Sequence, residues 1–86
     1  MKELERALKA FANRRRLTIV KYLKEVKEAP VGEIAHEINL SLKATSKHLA
    51  VLAAADVVER DQRSLQMFYR LASPQKPTTR ALLSLL

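Results

Sequence analysis

Serine and lysine side chains between residues 41 and 47 carry the clearest chemistry in the sequence. In a helix that begins after Ser41, the side chains of Lys43, Ser46 and Lys47 share one side. That side has no acidic and no bulky apolar residue, so it offers hydrogen bonds and positive charge together. A helix about 10–12 Å wide fits the major groove of duplex DNA, so the pattern predicts a DNA-contacting helix. The predicted contact residues of this helix are Ser41, Leu42, Lys43, Ser46, Lys47 and His48.

The other side of the same helix is apolar, which predicts that it packs inward. Thr45, Leu49 and Leu52 lie on this side, and a second apolar stripe precedes them on a short helix from Val31 to Ile38. Asn39 tolerates the left-handed backbone that ends a helix, and Ser41 can cap the next one. Residues 31–55 therefore read as a helix-turn-helix. The alternative is an ordinary corner of two helices with a solvated polar face.

Two segments with alternating apolar residues follow, and they predict a β-hairpin over residues 57–71. Val57–Asp61 and Leu65–Leu71 form the strands, and Gln62 to Ser64 form a polar turn. Arg60 and Arg63 are expected near the tip of this hairpin. A hairpin of this kind, called a wing, lies beside the DNA-contacting helix, and its arginines can contact phosphates or the minor groove. The alternative is an exposed hairpin whose charges have no binding role.

Both ends of the chain carry apolar helical stripes. Leu4, Leu8 and Phe11 form a stripe on helix 2–11, and the tail 78–86 is too apolar to be left in water, so both ends supply surfaces on which a second copy of the chain can pack. The alternative for the tail is packing on its own core. The predicted dimer residues are Leu4, Leu8, Phe11, Leu82, Leu83 and Leu86.

The composition narrows the set of functions that the protein can have. The 86 residues predict one domain with a net charge of +7, and the excess is spread over both halves of the chain. A basic domain of this kind suits nucleic acid, or else an anionic lipid surface. There is no cysteine and there are two histidines without acidic partners, so we predict no metal, no cofactor and no enzyme. No leader or membrane span is visible, and we expect a cytoplasmic protein.

The predicted fold is mainly α, with elements in the order α-α-α-α-β-β-α. Asn13 is expected to cap the second helix, and Pro30 closes that segment. A two-stranded wing then follows the helix-turn-helix, and the terminal helices flank this winged helix-turn-helix on both sides.

Three stretches resemble the ArsR-type winged helix-turn-helix transcriptional regulators. Leu8–Leu23 resembles the family's entry into its second helix, where Asn13 and Arg16 stand for the aspartate and arginine of a DP-x-R turn. Glu33–Leu52 resembles its helix-turn-helix, with the Ser-x-His-Leu step at residues 46–49. Asp56–Leu71 resembles its wing, ending in Tyr-Arg-Leu. The resemblance implies DNA binding and pairing through the first and last helices, and it adds Arg16 to the candidate DNA contacts.

The sequence departs from that family at the sites where many members bind a metal ion or carry redox-active cysteines. Residues 29–32 read Ala-Pro-Val-Gly where many members have a Cys-Val-Cys metal site, and residues 78–86 contain no His, Asp or Glu. We therefore expect a homodimeric, sequence-specific DNA-binding regulator, a repressor, that senses no metal and has no redox cysteine. The alternative is a winged-helix module for protein contacts, or a non-specific architectural DNA-binding protein.

Overall fold

The protein consists of five helices and a small three-stranded antiparallel sheet. This architecture comes from a computed structural model, which describes residues 1–86. The elements are α1 (Lys2–Phe11), α2 (Arg14–Val26), β1 (Glu28–Pro30), α3 (Val31–Glu37), α4 (Leu42–Ala54), β2 (Val58–Arg63), β3 (Gln66–Leu71) and α5 (Pro77–Leu83). The expected winged helix-turn-helix is confirmed, with α3 and α4 as its two helices and β2–β3 as its wing. None of the helices has the length and apolar character needed to span a bilayer.

The predicted starts of α2 and α4 are confirmed, because the capping side chains act as expected. The end of α2 was predicted wrongly: the helix ends at Val26 rather than just before Pro30, because Glu28–Pro30 pair with β3 as a strand. The Asn13 side chain accepts from the backbone N–H of Arg16 at 3.1 Å, and Ser41 Oγ accepts from that of Ala44 at 3.1 Å. Asn39 has a positive φ of 54°, which turns the chain between α3 and α4. These contacts set where α4 begins, and so where its first turn can present side chains.

The sheet has a third strand that the sequence did not predict. β1 pairs antiparallel with β3, which makes the strand order β1-β3-β2 with β3 in the centre. β1 is only three residues long and ends in a proline, so it lacks the alternating pattern by which strands are recognised. Proline fits here because β1 is an edge strand, where one missing N–H donor is tolerated.

The wing turn is shorter than predicted, and it lies further along the chain. Arg63 pairs with Gln66, so only Ser64 and Leu65 form the turn, and Ser64 has a positive φ of 57°. Leu65, expected in the second strand, lies at the tip with 97% of its surface exposed. A serine in the left-handed region takes the place that glycine usually fills in such turns.

One hydrophobic core joins α2, α3, α4 and the sheet. Its fully buried members include Ile19, Leu23, Ile34, Leu49 and Leu52, and Thr45 lies among them as predicted. The apolar side of α4 is thus buried in the protomer.

The terminal helices pack partly on this core, which changes the predicted dimer set. Phe11 and Leu83 each expose only 4% of their surface, so they are buried in their own protomer. They therefore do not belong to the surface that a partner can contact. Leu4, Leu8 and Leu86 are 39%, 47% and 36% exposed, and Leu82 is half-buried. The last helix ends at Leu83 rather than continuing to Leu86.

Candidate nucleic-acid interface

The outer side of α4 presents the predicted contact residues to solvent. Lys43, Ser46 and Lys47 are all exposed, and none makes a side-chain hydrogen bond or ion pair within the chain. Leu42 is 55% exposed at the start of the helix, beside the Ser41 cap. The helix therefore has two lysines and a serine whose donors are free, above a buried side that fixes its orientation.

Arg16 has a role in the structure that differs from the predicted DNA contact. Its Nε donates to the carbonyl of Ala10 at 2.6 Å, and its Nη2 donates to that of Lys9 at 3.0 Å. Its Nη1 lies 3.3 Å from His48 Nδ1, on α4. The guanidinium group thus joins the end of α1 to the middle of α4, and these contacts help to fix the orientation of α4.

His48 is the acceptor in this contact. An arginine carries only donors, so the Nδ1 atom facing it must be unprotonated. Burial lowers the pKa of His48, and the nearby charges of Arg16 and Arg15 lower it further. The ring is therefore neutral near pH 7 and stays bonded to Arg16. His48, which we predicted to contact DNA, is half-buried and already engaged through this nitrogen.

We expect Arg16→Lys to lower the free energy of unfolding by about 2 kcal/mol, which corresponds to a fall of roughly 8–16 °C in Tm. A lysine ammonium group cannot serve two carbonyls and His48 together, because it lacks the planar fork of the guanidinium. Urea and thermal unfolding measure the change. Arg15→Lys is the control, because Arg15 is exposed and has no partner in the chain. Equal losses in the two variants would contradict the role assigned to Arg16.

The two wing arginines lie on opposite faces of β2. Arg63 makes a bidentate pair with Glu28, both bonds being 2.8 Å, and its Nε donates to Asp61 at 3.0 Å. Its guanidinium carbon also lies 4.6 Å from the ring centre of Phe68. These contacts occupy Arg63 and offset its charge, so it is a weaker candidate for DNA than predicted. Arg60 is exposed and has no such partner, so it is the freer cation of the wing.

Glu28 comes from the strand that the sequence did not predict, and it controls the charge of the wing. The hydrogen bonds from Arg63 hold the pKa of the Glu28 carboxyl below its usual range, and Arg70 adds to this effect. Glu28 therefore stays ionised at pH values at which an ordinary glutamate is already partly protonated. The pair with Arg63 persists down to the same acidic range.

Glu28→Gln is expected to raise DNA affinity about threefold to tenfold, because it removes one negative charge beside the wing and breaks the bidentate pair, so that an Nη group of Arg63 can donate to phosphate. Fluorescence anisotropy with a labelled duplex at several salt concentrations measures the gain. Glu25→Gln, on α2, is a control with the same change of charge. An unchanged affinity for Glu28→Gln would mean that the wing lies away from DNA.

The family model described as "Bacterial regulatory protein, arsR family" matches residues 13–60, a span that runs from the α2 cap through the helix-turn-helix into the wing. The chain belongs to the ArsR family. The resemblance noted in the sequence is thus confirmed for the winged helix-turn-helix and for its family of bacterial regulatory proteins.

Two curated proteins are similar to this ArsR-family chain. The transcriptional activator HlyU of Vibrio cholerae is 40% identical over 68 residues, and the nodulation protein NolR of Rhizobium meliloti is 36% identical over 66. These matches cover 79% and 77% of this chain. They span only 62% of HlyU and 53% of NolR, so the relatives are considerably longer than the matched part.

Solved structures agree on the fold. HlyU of Vibrio cholerae superposes with a TM-score of 0.84 at 33% identity, covering 98% of this chain and 87% of that one. A homodimeric winged helix-turn-helix DNA-binding domain from Mycobacterium bovis gives 0.85 at 31% identity, with 98% and 74% covered. The transcriptional repressor PagR of Bacillus anthracis gives 0.80 at 25% identity, with 98% and 92% covered.

Proposed function

We propose that two copies of this chain bind one operator, with α4 of each copy in successive major grooves about 34 Å apart. The exposed, unpartnered Lys43, Ser46 and Lys47 carry this proposal, since they form the one side of α4 that the core does not use. The serine reads base edges, and the lysines anchor on phosphate or on guanine acceptors. Because the two copies are related by a twofold axis, the operator is an imperfect palindrome.

The exposed apolar residues of α1 and the C-terminal end support the dimer. Leu4 and Leu8 lie on α1, which packs on α5, and Leu86 follows α5 by three residues, so a second copy can cover all three in one contact. The homodimeric domain from Mycobacterium bovis is a relative with this fold. We propose that the present chain pairs through α1 and the residues of and after α5.

We further propose that the bound dimer represses transcription by covering a promoter. PagR is a repressor and HlyU is an activator, so both outcomes occur among proteins with this fold. Repression needs only occupancy of the operator, whereas activation also needs a favourable contact with the transcription machinery. A reporter gene behind the selected operator separates these outcomes, since repression predicts lower expression when the protein is present.

Selection from a random duplex pool tests sequence-specific binding. We expect an enriched motif with two inverted half-sites whose centres are about 10 base pairs apart. Recovery without any enriched motif would favour the architectural alternative. The protein-interaction alternative predicts instead that a protein partner is retained at high salt, where phosphate contacts are lost.

A further inference from the structure

A cationic cleft lies between the end of α2, the end of β3 and α5. It has a volume of about 570 Å³, and its charged side chains are Lys24, Lys27, Arg70 and Arg80. No acidic residue lines it, and Ser73 and Gln75 add a hydroxyl and an amide. Cavities of this size hold small molecules, and the lining is unsuited to an apolar one because cations dominate it.

The donors in this cleft are largely unused. Lys27 and Arg80 have no hydrogen-bond or ion-pair partner in the chain, and both are exposed. Lys24 donates one hydrogen bond, to the carbonyl of Leu83 at 2.9 Å, which leaves two of its three N–H groups. Only Arg70 is offset, by Glu28 at 3.4 Å and Glu59 at 3.3 Å. The cleft therefore has a net positive charge, and its cations repel one another until an anion enters.

Lys24 and Lys27 also stand at the C-terminal end of α2, where cations offset the partial negative charge of the helix. That role accounts for two of the four cations. It does not account for Arg80, which comes from α5, or for the convergence of donors from three elements on one space.

The cleft lies away from both proposed interfaces. Arg70 is five residues along β3 from the wing tip at Leu65, which is about 17 Å in an extended strand. On α5, Arg80 is on the flank opposite Leu82, because side chains two residues apart in a helix point about 200° apart. DNA bound to α4 does not need to cover the cleft, and neither does a second copy packed on Leu4, Leu8 and Leu82.

We propose that this cleft binds a small multivalent anion that carries phosphate or carboxylate groups. Lys27 and Arg80 contact the anion from opposite walls, and Lys24 adds a third positive donor. The site is separate from DNA binding, so it is retained or lost independently of that function.

NMR spectroscopy of the ¹⁵N-labelled full chain tests the site with two probes, inorganic phosphate and citrate, against sodium chloride at matched ionic strength. We expect saturable shifts in the backbone amides of Lys27, Ala72, Ser73, Gln75 and Arg80. Saturation with phosphate alone, with citrate alone, or with both identifies the preferred group. Shifts that rise linearly without saturation with either probe would overturn the proposal, and so would shifts centred on residues 43–47.

A double variant, Lys27→Gln with Arg80→Gln, is expected to weaken anion binding at least tenfold. The matched control is Lys21→Gln with Arg14→Gln, which removes one lysine and one arginine that are exposed and unpartnered elsewhere. Equal weakening in both double variants would reduce the effect to overall charge and overturn the site. Duplex binding by the first double variant is expected to remain, which separates this result from a failure of DNA binding.

Discussion

Lys47→Ala is expected to weaken binding of the dimer to its operator about 100-fold at fixed salt. A hydrogen bond to a charged group is worth about 1.5–3 kcal/mol, and the dimer loses two of them, so the total of about 3 kcal/mol corresponds to that factor. The lysine is exposed and unpartnered, so the protomer itself loses nothing. Anisotropy titrations across a salt series should also show that the slope of log K against log [salt] falls by about 2, one unit for each lysine lost.

Lys27→Ala is the matched control, since Lys27 is also an exposed lysine without a partner but lies at the far end of α2. We expect little change in its operator affinity. If Lys47→Ala and Lys27→Ala weakened binding equally, overall charge and not the side of α4 would account for the affinity. If neither changed it, α4 would not be the DNA-contacting element.

The fold and the outer side of α4 could be predicted because their causes are local in the sequence. The spacing of Thr45, Leu49 and Leu52 determines which side of α4 faces inward, and the remaining side is left for solvent or DNA. Asn13 and Ser41 act on backbone groups three residues away, so their capping role is visible in a short window. Predictions of this kind need no knowledge of distant contacts.

The roles of the arginines could not be predicted because their partners are remote. Arg16 meets His48 across 32 positions, and Arg63 meets Glu28 across 35. Glu28 lies in a segment without the alternating pattern of a strand, so its pairing with Arg63 could not be predicted. A charged residue in a basic protein can equally well contact a ligand or hold the fold together, and only the tertiary structure decides between them.

These contacts separate the cations into those with partners inside the protomer and those whose donors are free. Arg16 and Arg63 have their donors satisfied within the protomer, so they stabilise the position of α4 and of the wing. Lys43, Lys47 and Arg60 keep theirs free, so in the proposed complex they release counterions from DNA. Free cations also lie away from α4, for example Lys27 and Arg80, so the net charge of +7 does not by itself locate the DNA-binding surface.

Leu8→Asp is expected to convert the proposed dimer to monomers. Leu8 is 47% exposed in the protomer, so the substitution leaves the core intact. In a twofold interface the two new carboxylates would both be buried without partners, which costs several kcal/mol. We expect the dimer dissociation constant to rise at least about 1,000-fold, which corresponds to about 4 kcal/mol. Sedimentation equilibrium measures this change directly.

The same variant should lose operator affinity by a comparable factor, because two half-sites bound by one dimer are then bound by separate chains. Leu65→Asp is the control for assembly, since Leu65 is 97% exposed at the wing tip, far from α1 and α5. It should leave the sedimentation of the wild-type dimer unchanged. A Leu8→Asp protein that still sedimented as a dimer would place the interface elsewhere, and a wild-type monomer at micromolar concentration would exclude pairing through these helices in the absence of DNA.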